Sequence, residues 1–444
     1  MNSEHIQLPN KDKIVLAILG IIGLLSLIYI ASNDDLGHTR LWTNILHNSV
    51  FFTLIALMAI FFICISVTAY AGWNVVFRRV WDGMSHFLLV GLVLMGIIAM
   101  GVYFGWHNLY HWADAKTAAT DPIIKGKSGF LNKHFYTIAG LGFIALWFFF
   151  AKKMRDLSVA EDDHGSNQFG NNPWKHYKSM KFYAALFLPI AGFTSAAAIW
   201  LWIMSVDPHW YSTMFAWYSS ASCFVSMIAL TILLLIYLKS RGYYHAVTSE
   251  HFHDLGKFMF AFSVFWTYLW FDQYMLIWYG NIGEETVYFQ TRIKEYPVLF
   301  YGNLVINFVL PFLILMRNDN KRKYGTLILV GILVFVGHWI DLFQMIKPGT
   351  LHTAMELGDH ASSAAHGVAG HAAEHAADAH GAADAHSAHS TGFKVGFTIP
   401  GIPEFGVMLG FLSLFIATTL HFLSKAALTP KHDPFLKESL HHHV

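Results

Sequence analysis

Cysteine is almost missing from this chain of 444 residues: there are two, Cys64 and Cys223, and both fall inside long apolar runs. So placed, they cannot build a disulfide framework, a zinc cluster, an iron–sulfur cluster or a CxxCH haem attachment. Any metal-centred redox chemistry the protein takes part in therefore belongs to other chains. Charge is also scarce, at 13% of residues against 55% hydrophobic and 16% aromatic, which excludes an ordinary soluble domain. The formal net charge of +1 says little about partners, and no nucleic acid is expected among them.

What fills the chain instead is a series of ten apolar runs, at residues 14–31, 46–70, 86–104, 135–151, 182–204, 215–238, 258–279, 298–316, 324–345 and 405–423. Each is close to the ~20 residues that cross a hydrocarbon core as a helix. Transmembrane strands would be shorter and would alternate apolar with polar, so they are excluded. The expected fold class is an all-α membrane protein of about ten spans, forming a single integral membrane domain over residues 1–444. Lys11 and Lys13 precede the first run, but it is long and lacks a small-residue cleavage site, so it is expected to be an uncleaved span.

An even number of spans puts both termini on one side. That side, with the second, fourth, sixth and eighth loops, holds 20 of the 29 Lys and Arg, many at span ends such as Arg78, Arg79, Lys152, Lys153 and Lys321. By the positive-inside rule both termini face the cytoplasm. Spans two to five (46–204) and six to nine (215–345) read as two four-helix units in the same orientation, with the first and last helices at the periphery. Residues 359–390, in the ninth loop, form an Ala, Gly and His tract that reads as a flexible external loop. His371 and His375, four apart, remain a side hypothesis for a divalent metal or a pH response. No metal site is otherwise expected.

Titratable groups in hydrocarbon are costly unless paired or hydrated, so each is a functional candidate. Nearly all lie toward the outer side under this topology. Asp272 lies past the middle of span seven, and His338 and Asp341, three apart on one helical face, lie in the outer half of span nine. A proton path or a buried polar pair is the expected use of these three. Asp207 and His209 occupy the outer turn between spans five and six, where Asp207 before Pro208 reads first as a helix N-cap and second as a chemical group. Glu404 likewise fits a helix start. His107, His111 and His134 sit near the outer ends of spans three and four, where an aromatic belt with Trp106, Tyr110 and Trp112 is the plainer reading. Trp270, with Trp266, Tyr268, Tyr274 and Trp278, fits either packing or a flat apolar pocket for a quinone ring. Haem b ligation is not expected, because deep histidines are too few and too one-sided.

The turn Asp207-Pro208-His209-Trp210-Tyr211-Ser212-Thr213, the run Trp270-Phe271-Asp272-Gln273-Tyr274 and the segment Trp278-Tyr279-Gly280-Asn281 resemble the NrfD and polysulfide-reductase-like membrane subunits. The length and the His/Ala-rich tract are most similar to the ActF-type subunits of alternative complex III, the bacterial quinol:cytochrome c oxidoreductase. The resemblance covers essentially the whole membrane portion. It implies a subunit in the bacterial cytoplasmic membrane, assembled with a sister NrfD-like subunit, an iron–sulfur subunit, multihaem cytochrome c subunits and a terminal oxidase, with lipids around it. It implies menaquinol oxidation near the outer face, haem and iron–sulfur clusters in the partners, and no covalently bound cofactor here. Asp272, Asp207 and His209 match its polar positions. On depth alone His338 and Asp341 join these as proton-path candidates, and His107, His111, His134 and Trp270 are the quinone-binding candidates. No residue is expected to be catalytic by itself. The competing expectation is a proton- or ion-coupled secondary transporter; an enzyme acting alone is not expected.

Overall fold

A computed structural model describes residues 6–7, 9–34, 36–164, 174–369 and 393–443. Among these there is no strand, only an isolated bridge between Val395 and Ile399. The long helices follow the apolar runs: α1 (Asn10–Ser32), α2 (Thr39–Thr68), α3 (Arg78–Phe104), α4 (Lys133–His164), α5 (Lys175–Trp202), α6 (Met214–Ser240), α7 (Ser249–Gly280), α8 (Pro297–Leu315), α9 (Tyr324–Ala369) and α10 (Ile402–Ser424). Nine of them are long and apolar enough to cross a membrane, and the fold is that of a multi-pass membrane protein. The remaining one, α7, is 32 residues long, but Ser263, Thr267, Asp272 and Gln273 dilute its apolar character.

Helices α2 to α5 pack as one bundle and α6 to α9 as a second, joined where α2 and α5 meet α6 and where α9 meets α2. Accordingly α2 and α6 are almost wholly buried. Helix α10 lies against α3 and α2, and α1 rests mainly on α10 with most of its surface facing outward. The α1–α10 contact is backbone on backbone: a Cβ added to Gly23 would come within 2.5 Å of the Gly410 Cα. Small residues allow helices in lipid to approach this closely. Helix α3 ends on Gly105 at φ 72°, a left-handed stop that glycine adopts without strain.

Three details depart from the sequence expectation. The ninth span does not end at residue 345: α9 continues through Pro348 to Ala369, so the start of the His/Ala tract is helix rather than loop. Residues 370–392, with His371 and His375, lie outside the described residues. The eighth span is not a uniform helix, because Val305–Val309 forms a π-turn between two α-helical pieces. Pro208 does not start a helix either; α6 begins at Met214, after an irregular stretch.

Contacts gather both termini and the even-numbered loops at one end of the bundle. Asp12 reaches Arg241, Arg78 reaches Asp433, Arg79 reaches Asp162, Glu250 reaches Arg322, and His442 reaches Asp254. This is the end that carries the excess of basic residues.

Candidate functional site

The second bundle closes around Asp341. Counting from Tyr324 at the basic end, Asp341 lies roughly 26 Å along α9, in the farther half of the apolar run 324–345. Its carboxylate is fully buried and accepts hydrogen bonds from three other helices. The Tyr218 hydroxyl and Asn303 Nδ2 (2.7 Å) donate to Oδ1, and Ser222 Oγ and Trp266 Nε1 (both 2.9 Å) donate to Oδ2. Every helix of the bundle thus contributes: α6 supplies Tyr218 and Ser222, α7 Trp266, α8 Asn303. Asn307, in the π-turn, donates to Asn303 Oδ1 at 2.9 Å and lies against Gly337, where an added Cβ would come 2.1 Å from Asn307 Oδ1. A π-turn shifts the helix register by a residue, and here it brings Asn307 into that polar line.

His338 joins the network through Ser222. Its Nδ1 is 3.0 Å from Ser222 Oγ. Since the single Ser222 proton goes to the carboxylate, Nδ1 carries the ring proton that bonds Ser222, and Nε2 is left as an acceptor. That Nε2 is buried with no hydrogen-bond partner among the described residues.

On the side away from the basic end, a cavity of about 20 Å³ adjoins Asp341 and is also lined by Gln273, Gln344, Tyr288 and Arg292. It has room for one water molecule and not for a quinone ring. Gln273 Nε2, Gln344 Nε2 and Arg292 Nε are all buried without a hydrogen-bond partner among the described residues. Arg292 comes from the surface helix Gly283–Glu295; its guanidinium lies 3.3 Å over the Tyr288 ring, and Nη2 is 3.3 Å from Asp207 Oδ2. Tyr288 in turn stacks on Trp210 at 3.8 Å, nearly parallel. Beyond Trp210 a mostly apolar hollow of about 220 Å³ is lined by Lys127, Phe130, Trp200, Met204 and Tyr211.

The candidates from sequence therefore separate. His338, Asp341 and Asp207 fall along one polar line, and Trp270 lines the small cavity. Asp272 does not join it: the side chain is half-buried, and among the described residues it has no hydrogen bond or ion pair. Its neighbour Gln273 is the residue that faces the cavity. His209 lies in the outer turn, 2.5 Å from Asp121 Oδ2. Burial opposes ionisation of Asp121, but that bond and the Ile123 and Ile124 N–H groups hold its carboxyl below the usual range.

The quinone-binding candidates are likewise dispersed. His107 is buried against Trp42, with Nε2 3.2 Å from Ile98 O, and burial pushes its pKa down to about 4. His111 pairs with Glu356 at 3.4 Å, and His134 is exposed beside Tyr103. None of the three lines the cavity that Trp270 lines. Among the described residues no group of three or more His, Cys, Asp or Glu is arranged to hold a metal ion.

Several members of the site were not singled out from sequence. Ser219, Ser222 and Ser226 recur on one face of the sixth run, and Asn303 and Asn307 lie four apart in the eighth; both spacings carried a signal. Lys347 also escaped, since it reads as a basic flank beside Pro348. It is fully buried, with Nζ unpaired among the described residues between the Phe343 and Phe397 rings, while nearby Glu404 is engaged by Arg40 at 2.8 and 3.0 Å. Glu404 is thus an ion-pair partner as well as a helix-start residue. No protein-family model matches the chain, and no curated protein is similar to it.

Proposed function

We propose that the chain is a membrane subunit of a respiratory menaquinol:cytochrome c oxidoreductase of the alternative complex III type, and that it conducts protons through its second bundle toward the outer face of the bacterial cytoplasmic membrane. Both termini face the cytoplasm in this reading. Electrons pass through haem and iron–sulfur groups of partner subunits. The observation that carries the reading is Asp341, a carboxylate held by four donors inside the bundle and adjoined by a water-sized cavity that leads to Arg292 and Asp207. Sequence resemblance supports the respiratory part, and the buried network supports the proton part.

The chemistry follows from the donors. A proton reaching Asp341 neutralises it and weakens the four hydrogen bonds it accepts. A water in the cavity, held by a bond from one of the unpaired Gln273, Gln344 or Arg292 donors, keeps its other lone pair for the Asp341 proton and passes one of its own protons on toward Asp207. Ser222 links the same carboxylate to His338, and moving the ring proton from Nδ1 to Nε2 would let the Ser222 hydroxyl turn from the carboxylate to the ring.

In the complex purified in mild detergent and reconstituted in vesicles, Asp341→Asn lowers turnover or proton release by roughly tenfold or more, with all subunits retained. Unaltered turnover and proton yield in the assembled variant would remove Asp341 from the mechanism. The broken helix α8, whose π-turn faces the same network, favours a second reading as a proton-coupled transporter. Solute flux driven by a pH gradient in vesicles holding the purified chain alone would select that reading.

A further inference from the structure

Asp272 is in an unusual position for a carboxylate. Helix α7 ends at Gly280, with Trp278 and Tyr279 at its last turn and Asn281 in the left-handed conformation that stops it. Asp272 is seven residues before Tyr279, roughly 10 Å deeper along the axis, beneath the level where Trp and Tyr mark the interface. The short Asp side chain cannot reach back to water over that distance.

It also points the wrong way for a site inside this chain. The outward face of α7 carries Tyr268, Phe271, Met275, Leu276, Trp278 and Tyr279, all exposed. At 100° per residue most of these lie on one side of Asp272 and Leu276 on the other, so the half-buried carboxylate stands toward the inner margin of the stripe. The buried face of the helix belongs to Trp266, Leu269, Gln273 and Ile277. His338 and Asp341, titratable groups of the same bundle, are instead buried and hydrogen-bonded. Asp272 has no hydrogen bond or ion pair among the described residues. A carboxyl group facing hydrocarbon without a partner is costly in either protonation state, because its oxygens find nothing to bond. The outer surfaces of α1, α3 and α5, by contrast, present Ile, Leu, Val, Met and Phe, which suit lipid.

We propose that the outward face of α7 bordered by Asp272 is a docking surface within the membrane for a transmembrane helix of a partner subunit, one that presents a Lys, Arg or His side chain to the Asp272 carboxylate. The aromatic and aliphatic groups around it supply the packing, and the carboxylate sets the register. This does not rest on the quinol reading: any membrane partner with a basic residue at that depth satisfies it, so the two can fail separately.

The test replaces Tyr268 or Leu276 by a photo-crosslinking amino acid in the full chain, in native membranes, with Phe193 on the outward face of α5 as control. Expected is an adduct from positions 268 and 276, not from 193, with a spanning segment of a different protein that carries a basic residue, identified by mass spectrometry. Asp272→Arg should lower that adduct by about tenfold or more, and an acidic residue at the partner's basic position should restore it. Asp272→Leu should strip the partner without lowering the melting temperature of the isolated chain. Adducts with lipid only, with a second copy of this chain, or with a segment lacking a basic residue would overturn the proposal. So would an adduct that Asp272→Arg leaves unchanged.

Discussion

Four donors converge on Asp341, and their fate distinguishes its substitutions. Leucine leaves Tyr218, Ser222, Trp266 and Asn303 without an acceptor, at roughly 1–3 kcal/mol for each orphaned donor. Asn keeps one acceptor oxygen. The solubilised Asp341→Leu chain should therefore melt well below Asp341→Asn, and equal melting temperatures would mean that the donors find other partners. His107 gives a pH signature of the opposite kind. Its folded pKa of about 4 lies below the ordinary 6.5, so the unfolded chain binds the proton more readily between those values. Stability is then full above pH 6.5 and falls as the pH drops toward 4, by on the order of 3 kcal/mol. His107→Gln should flatten the melting temperature over that window. At this scale the sequence made half of the site legible: the spacing of His338 and Asp341 within an apolar run revealed a polar pair. Their partners stayed hidden because hydrogen bonding joins residues from four helices, whereas Asp272, equally conspicuous in sequence, is half-buried and lies outside the network.

Helix existence was legible from hydropathy, while breaks and ends were not. Pro348 reads as a stop, yet α9 continues past it and brings Gly349 against Asp207, where an added Cβ would lie 2.5 Å from Oδ1. The π-turn in α8 has no hydropathic mark, since inserting one residue into a helical turn leaves composition unchanged. Gly337 is the element-level key to it. Gly337→Ala should push Asn307 away from α9, loosen its bond to Asn303, and cost about 1–3 kcal/mol as overpacking does. The melting temperature checks the stability, and the proton yield of the assembled complex checks the coupling to Asp341. Valine at the same position should be worse than alanine; if both are neutral, the close approach of α8 and α9 is not what holds the π-turn.

At the scale of the whole molecule, the tail after α10 ties the two bundles together at the basic end. Asp433 pairs with Arg78 on the first bundle at 2.6 Å, and Ser439 Oγ bonds Trp73 O at 2.8 Å. Ser439 O receives His251, and His442 reaches Asp254 at 2.6 Å, both at the start of the second bundle. The Lys and Arg asymmetry revealed which loops share a side, because charge is read residue by residue. The strap was invisible, because a short polar tail has no periodicity to betray where it lies. Arg78 and Asp433 are both buried, and a buried ion pair has a characteristic double-mutant pattern. Removing only the cation, as in Arg78→Met, leaves a buried carboxylate alone and should cost about 3–5 kcal/mol. Asp433 also caps its own turn by accepting from Phe435 N at 3.0 Å, so its replacement must keep that acceptor. The Arg78→Met, Asp433→Asn pair removes both charges and keeps the cap, and should recover most of the loss. Melting temperature and the rate of proteolytic release of residues 425–443 read the two variants together. Recovery in both means that the pair matters for matching charge, with the strap held by Ser439 and His442. Recovery of melting temperature with persistent release of the tail means that Arg78 itself anchors the strap and so links the two bundles.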